Sequence, residues 1–124
     1  MIKFGNFPYL ECSSKGDKRF SAFYARIKGR NNKCIEEIYQ CSKIINGKKV
    51  NSWREGKGRK ADNCEKLADL YYKLWLEYFE ENPHLLEVIK KYSGFSDIFG
   101  KKGCNCQAEC IYNIWLKVNS DQLV

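Results

Sequence analysis

The segment CIEEIYQCSK, residues 34–43, carries two carboxylates and an amine at spacings that suit chemistry on a small molecule. Glu36 and Lys43 are seven residues apart, so at about 3.6 residues per turn they project from nearly the same side of a helix. A carboxylic acid can protonate the leaving group of a glycosidic bond, and a desolvated lysine can attack a sugar carbon. From spacing alone, the simpler interpretation is favoured, in which Glu36, Glu37 and Lys43 are the polar face of a helix.

The cysteines and the one histidine offer fewer chemical possibilities. His84 follows Asn-Pro at a predicted helix start, which favours a surface residue over a catalyst. Cys104, Cys106 and Cys110 could suggest a metal site, but structural zinc sites usually pair two C-x2-4-C segments, and the sequence contains no second pair. We therefore expect the seven cysteines to be buried, unligated and reduced, since free cysteine packs as a small hydrophobe.

Positive charge is concentrated in the first half of the chain. The net charge is +7, with +10 in residues 1–60 and −3 in residues 61–124. A basic half suits a polyanionic ligand such as a nucleic acid or a phosphate-rich nucleotide, and a solvated lysine-rich surface explains the same numbers equally well. No apolar run approaches the roughly 18–20 residues that cross a bilayer, and the first residues lack the apolar stretch of a signal peptide. We therefore expect a cytoplasmic protein with no membrane partner.

Helical periodicity dominates the predicted elements, and the length of 124 residues favours one domain. Helices are predicted over residues 34–45, 62–81 and 106–118, with a fourth starting at Pro83. One strand is predicted over RFSAFYARI at 19–27, and irregular segments over 5–20, 50–63 and 93–103. Together these elements predict a mainly helical α+β domain whose binding residues lie in loops.

Several segments, in order along the chain, resemble the NADAR (YbiA-like) family. FSAFY at 20–24 is similar to the family's F-L-S-N-F-Y, and residues 34–43 are similar to its S-x-E-H-x-Y-Q-x-x-K. Further likenesses are GKGRKA to its basic K-x-x-G-R, LEYFEENPHLLEVI to its K-F-x-x-N-P-x-L junction, GFSDIFG to its D-x-x-W-G and GCNCQA to its G-x-N-x-L-G. The resemblance covers residues 20 to about 116, with Ala22, Glu37 and Phe99 standing where the family has asparagine, histidine and tryptophan.

The resemblance implies a single YbiA-like domain over residues 1–124, mainly helical with a few short strands, that cleaves N-glycosidic bonds to ribose without a cofactor or metal. Such proteins act on phosphorylated aminoribosyl-pyrimidines or on ADP-ribose attached to guanine. The implied partner is thus a nucleotide containing ADP-ribose or another ribosyl group, either free or on ADP-ribosylated DNA.

The resemblance also implies roles for individual residues. Lys43 would contact or attack the anomeric carbon, Glu36 would be the acid/base, and Asp97 would orient sugar hydroxyls or stabilise positive charge. Substrate contacts are implied for Phe23, Tyr24, Tyr39, Gln40, Trp53, Arg54, Arg59, Lys60, Phe99, Gly100 and Asn105. Two alternatives stay open: a protein that sequesters an ADP-ribose-type nucleotide without cutting it, and a basic nucleic-acid-binding module.

Overall fold

The computed structural model describes residues 1–101 and 103–122, which form a mainly helical α+β domain as the sequence predicted. The α-helices are α1 (Ile35–Gln40), α2 (Trp53–Gly56), α3 (Cys64–Glu81), α4 (His84–Ile89) and α5 (Gln107–Gln122). The strands are β1 (Ile2–Gly5), β2 (Tyr9–Glu11), β3 (Arg26–Ile27), β4 (Lys33–Cys34), β5 (Ile44–Ile45), β6 (Lys48–Lys49) and β7 (Gly94–Asp97). Within the described residues, every helix is too short or too polar to span a bilayer.

A three-stranded sheet joins two N-terminal strands to a strand that is distant in sequence. Strand β7 lies in the middle, antiparallel to β1 and parallel to β2, with Phe95 opposite Phe4 on one side and Leu10 on the other. All four residues of β7 are buried. The strand therefore fixes Asp97, its last residue, at a defined edge of the core.

The core is built around α3. Its apolar residues recur every three or four positions, and the face formed by Leu67, Tyr71, Leu74, Trp75 and Tyr78 is buried. The Trp75 indole is fully buried and meets the ring of Tyr78 edge-on, with 5.5 Å between ring centroids. Aromatic pairs of this geometry contribute about 0.5–1.5 kcal/mol beyond the burial of their area. Helices α1 and α5 both pack against α3.

The strand predicted over residues 19–27 is wrong for most of its length. Residues 18–20 form a 3-10 helix whose first turn is capped by the Asp17 carboxylate, which accepts a hydrogen bond from the backbone N–H of Arg19. The Ser21 carbonyl then accepts from the N–H groups of Tyr24 and Ala25 and closes a turn. Strand pairing begins at Arg26, because the preceding backbone groups are already bonded within these turns.

The helix predicted over residues 34–45 is too long, since α1 ends at Gln40. The Ser42 hydroxyl donates to the carbonyl of Ile38, and the chain then enters the hairpin of β5 and β6. Asn46 and Gly47 form its turn with φ values of 53° and 77°, as the Asn-Gly pair favours. The segments predicted to be irregular over 5–20, 50–63 and 93–103 each contain a regular element: β2 lies in the first, α2 in the second and β7 in the third.

The expectation that all cysteines are reduced is wrong for one pair. Cys64 and Cys104 form a disulfide across 40 residues of sequence, with their Cα atoms 5.4 Å apart. The other five cysteines are free, and Cys12, Cys34 and Cys106 are buried. No three His, Cys, Asp or Glu side chains in residues 1–101 and 103–122 are grouped so that they could hold a metal ion. The disulfide pins the start of α3 to the segment that precedes α5.

Thiol titration tests this pairing. In denaturant without reductant, we expect five reactive thiols per chain out of seven cysteines, rising to seven after reduction. Cys104→Ser is expected to lower the free energy of unfolding by about 2–4 kcal/mol, because the unfolded chain loses its cross-link. Cys110→Ser, at a free cysteine, is the control. Seven thiols before reduction would contradict the pairing.

Candidate functional site

A single pocket of about 930 Å³ collects most of the residues that the sequence singled out. It lies between α1, the segment after α2, the end of β7 and the segment that precedes α5. Eleven of the fourteen predicted site residues line it: Phe23, Glu36, Tyr39, Gln40, Lys43, Arg59, Lys60, Asp97, Phe99, Gly100 and Asn105. Residues from separate parts of the chain therefore meet in one space large enough for a nucleotide-sized ligand.

The other three predicted residues lie outside this lining as the described residues define it. Tyr24 is half exposed, and the Lys18 ammonium lies 4.8 Å from the centre of its ring. Trp53 packs against Phe23, with ring centroids 6.2 Å apart, so it supports a residue of the pocket entrance. Arg54 is exposed on α2. Contact of these three with a ligand stays a prediction.

Glu36 is positioned by the first turn of α1. Its backbone N–H donates to the carbonyl of Ala22, and its side chain accepts a hydrogen bond of 2.7 Å from the Gln40 amide, one turn further along. Burial raises the pKa of the Glu36 carboxyl, and the Gln40 hydrogen bond and the charges of Lys43 and Lys57 offset only part of that rise. A carboxylic acid with a raised pKa at a pocket wall can serve as a proton donor.

Lys43 reaches the pocket from the turn after α1 and is only 5% exposed. Its Nζ donates to the carbonyl oxygens of Gly56 and Arg59, both at 2.8 Å, and lies 5.4 Å from the centre of the Tyr39 ring. Burial lowers the pKa of the Lys43 amine, although the nearby Glu36 acts in the opposite direction. The amine is therefore desolvated and held in place.

Gly56 allows the approach that gives Lys43 one of its two acceptors. A Cβ at this position would lie 2.7 Å from the Gln40 carbonyl oxygen and 3.1 Å from its side-chain oxygen. A side chain here would force α2 away from α1 and would move the Gly56 carbonyl with it. The sequence GKGR, residues 56–59, thus places backbone acceptors, as well as cations, beside the pocket.

Asp97 is held at both carboxylate oxygens. Oδ1 accepts from the backbone N–H of Phe99 at 3.0 Å, and Oδ2 accepts from the Gln107 side-chain amide at 2.9 Å. The side-chain oxygen of Gln107 in turn accepts from the backbone N–H of Ala22 at 2.8 Å. The carboxylate is 5% exposed, so its place in the pocket wall is fixed by protein groups.

The far wall combines aromatic and amide groups with the disulfide. Burial raises the pKa of the Tyr39 phenol, and the Glu36 charge adds to that rise. The Asn105 amide lies close enough to this phenol to lower its pKa slightly, yet neither amide atom makes a hydrogen bond of good geometry within the described residues. Cys64 and Cys104 line the same wall, so the disulfide holds Asn105 close to Tyr39.

The entrance carries three cations from one short segment. Lys57, Arg59 and Lys60 line the pocket and are exposed, and the segment turns at Gly58 with a φ of 75°. Guanidinium and ammonium groups at such an entrance suit phosphate oxygens. The pocket therefore combines a partly buried acid and a buried amine with positive charge at its entrance.

No protein-family model, no curated protein and no solved structure matches this chain. The likeness to the NADAR family consequently rests on the motifs of the sequence, and its functional implications remain proposals.

Sequence reasoning missed several residues of the pocket. Lys57 and Gln107 lie inside the segments GKGRKA and GCNCQA that drew attention for other residues. Tyr71 comes from the face of α3 that the periodicity assigned to the core. Ser14 was not named, but it belongs to residues 8–20, whose position just before the first motif does suggest that they line the pocket. No local signal in the sequence pairs Cys64 with Cys104, because the pairing depends on how α3 and α5 pack.

Proposed function

We propose that this protein is an N-glycosidase that cleaves the bond between ribose and a base in a phosphorylated nucleotide or in ADP-ribosylated guanine. The observation that carries the proposal is the meeting of Glu36, Lys43 and Asp97 in one pocket with cations at its entrance. Glycosidic-bond cleavage needs a proton donor for the leaving group and a negative charge near an oxocarbenium-like centre. The raised pKa of Glu36 and the fixed carboxylate of Asp97 suit these two requirements.

The proposed reaction is a hydrolysis. The bond from C1′ to the base nitrogen breaks, its electron pair leaves with the base, and Glu36 supplies the proton that the base takes. Asp97 faces the positive charge that develops on the sugar, and Lys43 lies against the anomeric carbon. Water adds its oxygen to C1′ and returns a proton to Glu36. Lys57, Arg59 and Lys60 hold the phosphates, and Tyr39 or Phe23 supports the base.

The bonding of Lys43 favours a second candidate, a protein that binds the nucleotide and leaves it intact. Two backbone carbonyls accept from its Nζ, an arrangement that also suits a purely structural ammonium group. Ala22, Glu37 and Phe99, which differ from the NADAR pattern, would then be the substitutions that accompany loss of chemistry. The two candidates differ in whether the N-glycosidic bond survives.

A cytoplasmic location is also part of the proposal, since nucleotide substrates of this kind are intracellular. The Cys64–Cys104 disulfide is uncommon for that compartment, where disulfides are usually transient and often have redox roles. Measuring the oxidised fraction of the Cys64–Cys104 pair, in protein whose thiols are blocked directly in cells, would test the location.

Product analysis tests the proposed function. The native protein is incubated with a guanine-ADP-ribosylated DNA oligonucleotide and, separately, with free ADP-ribosyl nucleotides, and products are read by mass spectrometry. Release of ADP-ribose from the oligonucleotide, or of a free base from the nucleotide, is expected, and Glu36→Gln is expected to slow it by about 10²–10⁴-fold. Retention of intact nucleotide without release would favour the sequestering protein. Salt-sensitive binding of unmodified DNA, unaffected by Glu36→Gln, would favour the nucleic-acid-binding module.

A further inference from the structure

Gln107 connects the two carboxylate-bearing elements of the pocket. Its Nε2 donates to Oδ2 of Asp97 at 2.9 Å, and its Oε1 accepts from the backbone N–H of Ala22 at 2.8 Å. The carbonyl of Ala22 then accepts from the backbone N–H of Glu36 at 3.0 Å. A path of three hydrogen bonds therefore runs from the end of β7 through the first residue of α5 to the first turn of α1.

The chemistry of the two neighbours fixes the orientation of the Gln107 amide. The Ala22 N–H can only donate, so it must face the amide oxygen, and the amide NH2 is left to face Asp97. The reverse orientation would place two donors together on one side and two acceptors on the other. Oδ1 of Asp97 meanwhile accepts from the Phe99 N–H. Both Asp97 oxygens thus act as acceptors in this arrangement.

Burial makes this arrangement rigid. Gln107 is 9% exposed, Asp97 5% and Ala22 1%, so solvent has little access to replace a lost hydrogen bond. In sequence, Gln107 lies 85 residues from Ala22 and 10 residues from Asp97, so its side chain joins segments that only the fold brings together. At position 22 the contact is made by the backbone, because alanine offers no polar side chain. Gln107 is the side chain on which the spacing between Asp97 and Glu36 depends.

We infer that Gln107 is a positioning residue that sets the place of the Asp97 carboxylate relative to the Glu36 acid for cleavage of the N-glycosidic bond. This inference rests on the proposed function. A carboxylate that faces a developing charge must sit within a small tolerance of its productive position, and a shift of about 1 Å can cost about 10²-fold in rate. Gln107 acts through Asp97, and it is assigned no contact with the reacting atoms.

Two substitutions test the role of Gln107 from different directions. Gln107→Glu keeps the length and the acceptor for Ala22, but it turns a carboxylate oxygen towards Asp97. Gln107→Leu keeps most of the volume and removes both hydrogen bonds. With the substrate that the native protein cleaves, both variants are expected to lose about 10–100-fold in kcat with little change in KM, because the defect lies in positioning.

Glu81→Leu is the matched control for a purely structural bridge. The Glu81 carboxylate also makes two long-range hydrogen bonds, to the backbone N–H groups of Lys28 and Gly29, and it lies outside the pocket lining. All assays are run well below the melting temperature of every variant. Glu81→Leu should lower the melting temperature and leave kcat unchanged.

The outcomes distinguish a failure of this inference from a failure of the proposed function. If the native protein turns over substrate and both Gln107 variants keep its kcat, the inference is wrong and the function stands. A rise in KM at constant kcat would equally overturn it, because that result marks a binding residue. If the native protein cleaves neither substrate, the proposed function fails and the inference fails with it. Loss of kcat in both Gln107 variants, with Glu81→Leu unaffected, supports the assignment.

Discussion

Lys43→Met is expected to abolish turnover and to lower the free energy of unfolding by about 1–3 kcal/mol. The native ammonium is 5% exposed and donates to the carbonyl oxygens of Gly56 and Arg59. Methionine keeps the stem of the side chain but removes the donor from both carbonyls. The Gly56 carbonyl still accepts from the backbone N–H of Arg59, so the main cost is one partly buried acceptor left without its donor, about 1–3 kcal/mol. Denaturant unfolding, followed by circular dichroism, measures the first effect, and product release measures the second.

Lys43→Arg distinguishes the chemical role of the amine from its structural role. Arginine retains a positive charge and several donors, so it can satisfy part of the two carbonyls, but its larger planar head does not place an amine against the anomeric carbon. We expect most of the stability to return and turnover to stay lost. Lys49→Met, on the exposed strand β6 and outside the pocket lining, is the control and should behave as native. Full turnover in Lys43→Arg would exclude a role specific to the lysine amine.

The parts of the fold that follow from local pattern were predicted well. Helix α3 was predicted over residues 62–81 and spans Cys64–Glu81, because a long amphipathic stripe leaves one arrangement that buries it. Strand β7 was predicted as a loop, since Gly-Phe-Ser-Asp has little strand propensity of its own. It is a strand because β1 and β2, which lie 85–95 residues away in sequence, pair with both of its edges. Such a pairing depends on tertiary contacts that a local pattern does not encode.

The geometry that brings Glu36 and Lys43 together differs from the geometry that the sequence predicted. The seven-residue spacing placed Glu36 and Lys43 on one side of a continuous helix, yet α1 ends at Gln40 and Lys43 follows in a turn. Both side chains nevertheless line the same pocket, because one backbone carbonyl at the end of α2 and one just after it accept hydrogen bonds from the lysine. Gln107 had no signal of its own, because its importance comes from Asp97 and Ala22, which the fold brings to it.

Glu36→Gln is expected to lower turnover by about 10²–10⁴-fold, the usual contribution of general acid–base catalysis, and to raise the melting temperature at neutral pH. Burial raises the pKa of Glu36 above its ordinary value of 4.5. The folded protein therefore binds this proton more tightly than the unfolded chain does. The free energy of unfolding consequently falls as the pH rises from about 4.5 through the pKa of the folded state. Glutamine removes this loss and still accepts the hydrogen bond from Gln40.

The sign of this pH dependence makes the experiment decisive. The stability gained by Glu36→Gln should be present at neutral pH and should vanish below pH 4.5, where the native carboxyl is protonated in both states. Glu37→Gln is the matched control, since Glu37 is the next carboxylate on α1, is also partly buried and lies outside the main pocket. Thermal melts across pH and turnover assays are run on both variants. A variant of Glu36 that loses activity and stability together would point to a structural carboxylate. A gain in stability together with a loss of activity is expected of a catalytic group that the fold holds in an unfavourable environment.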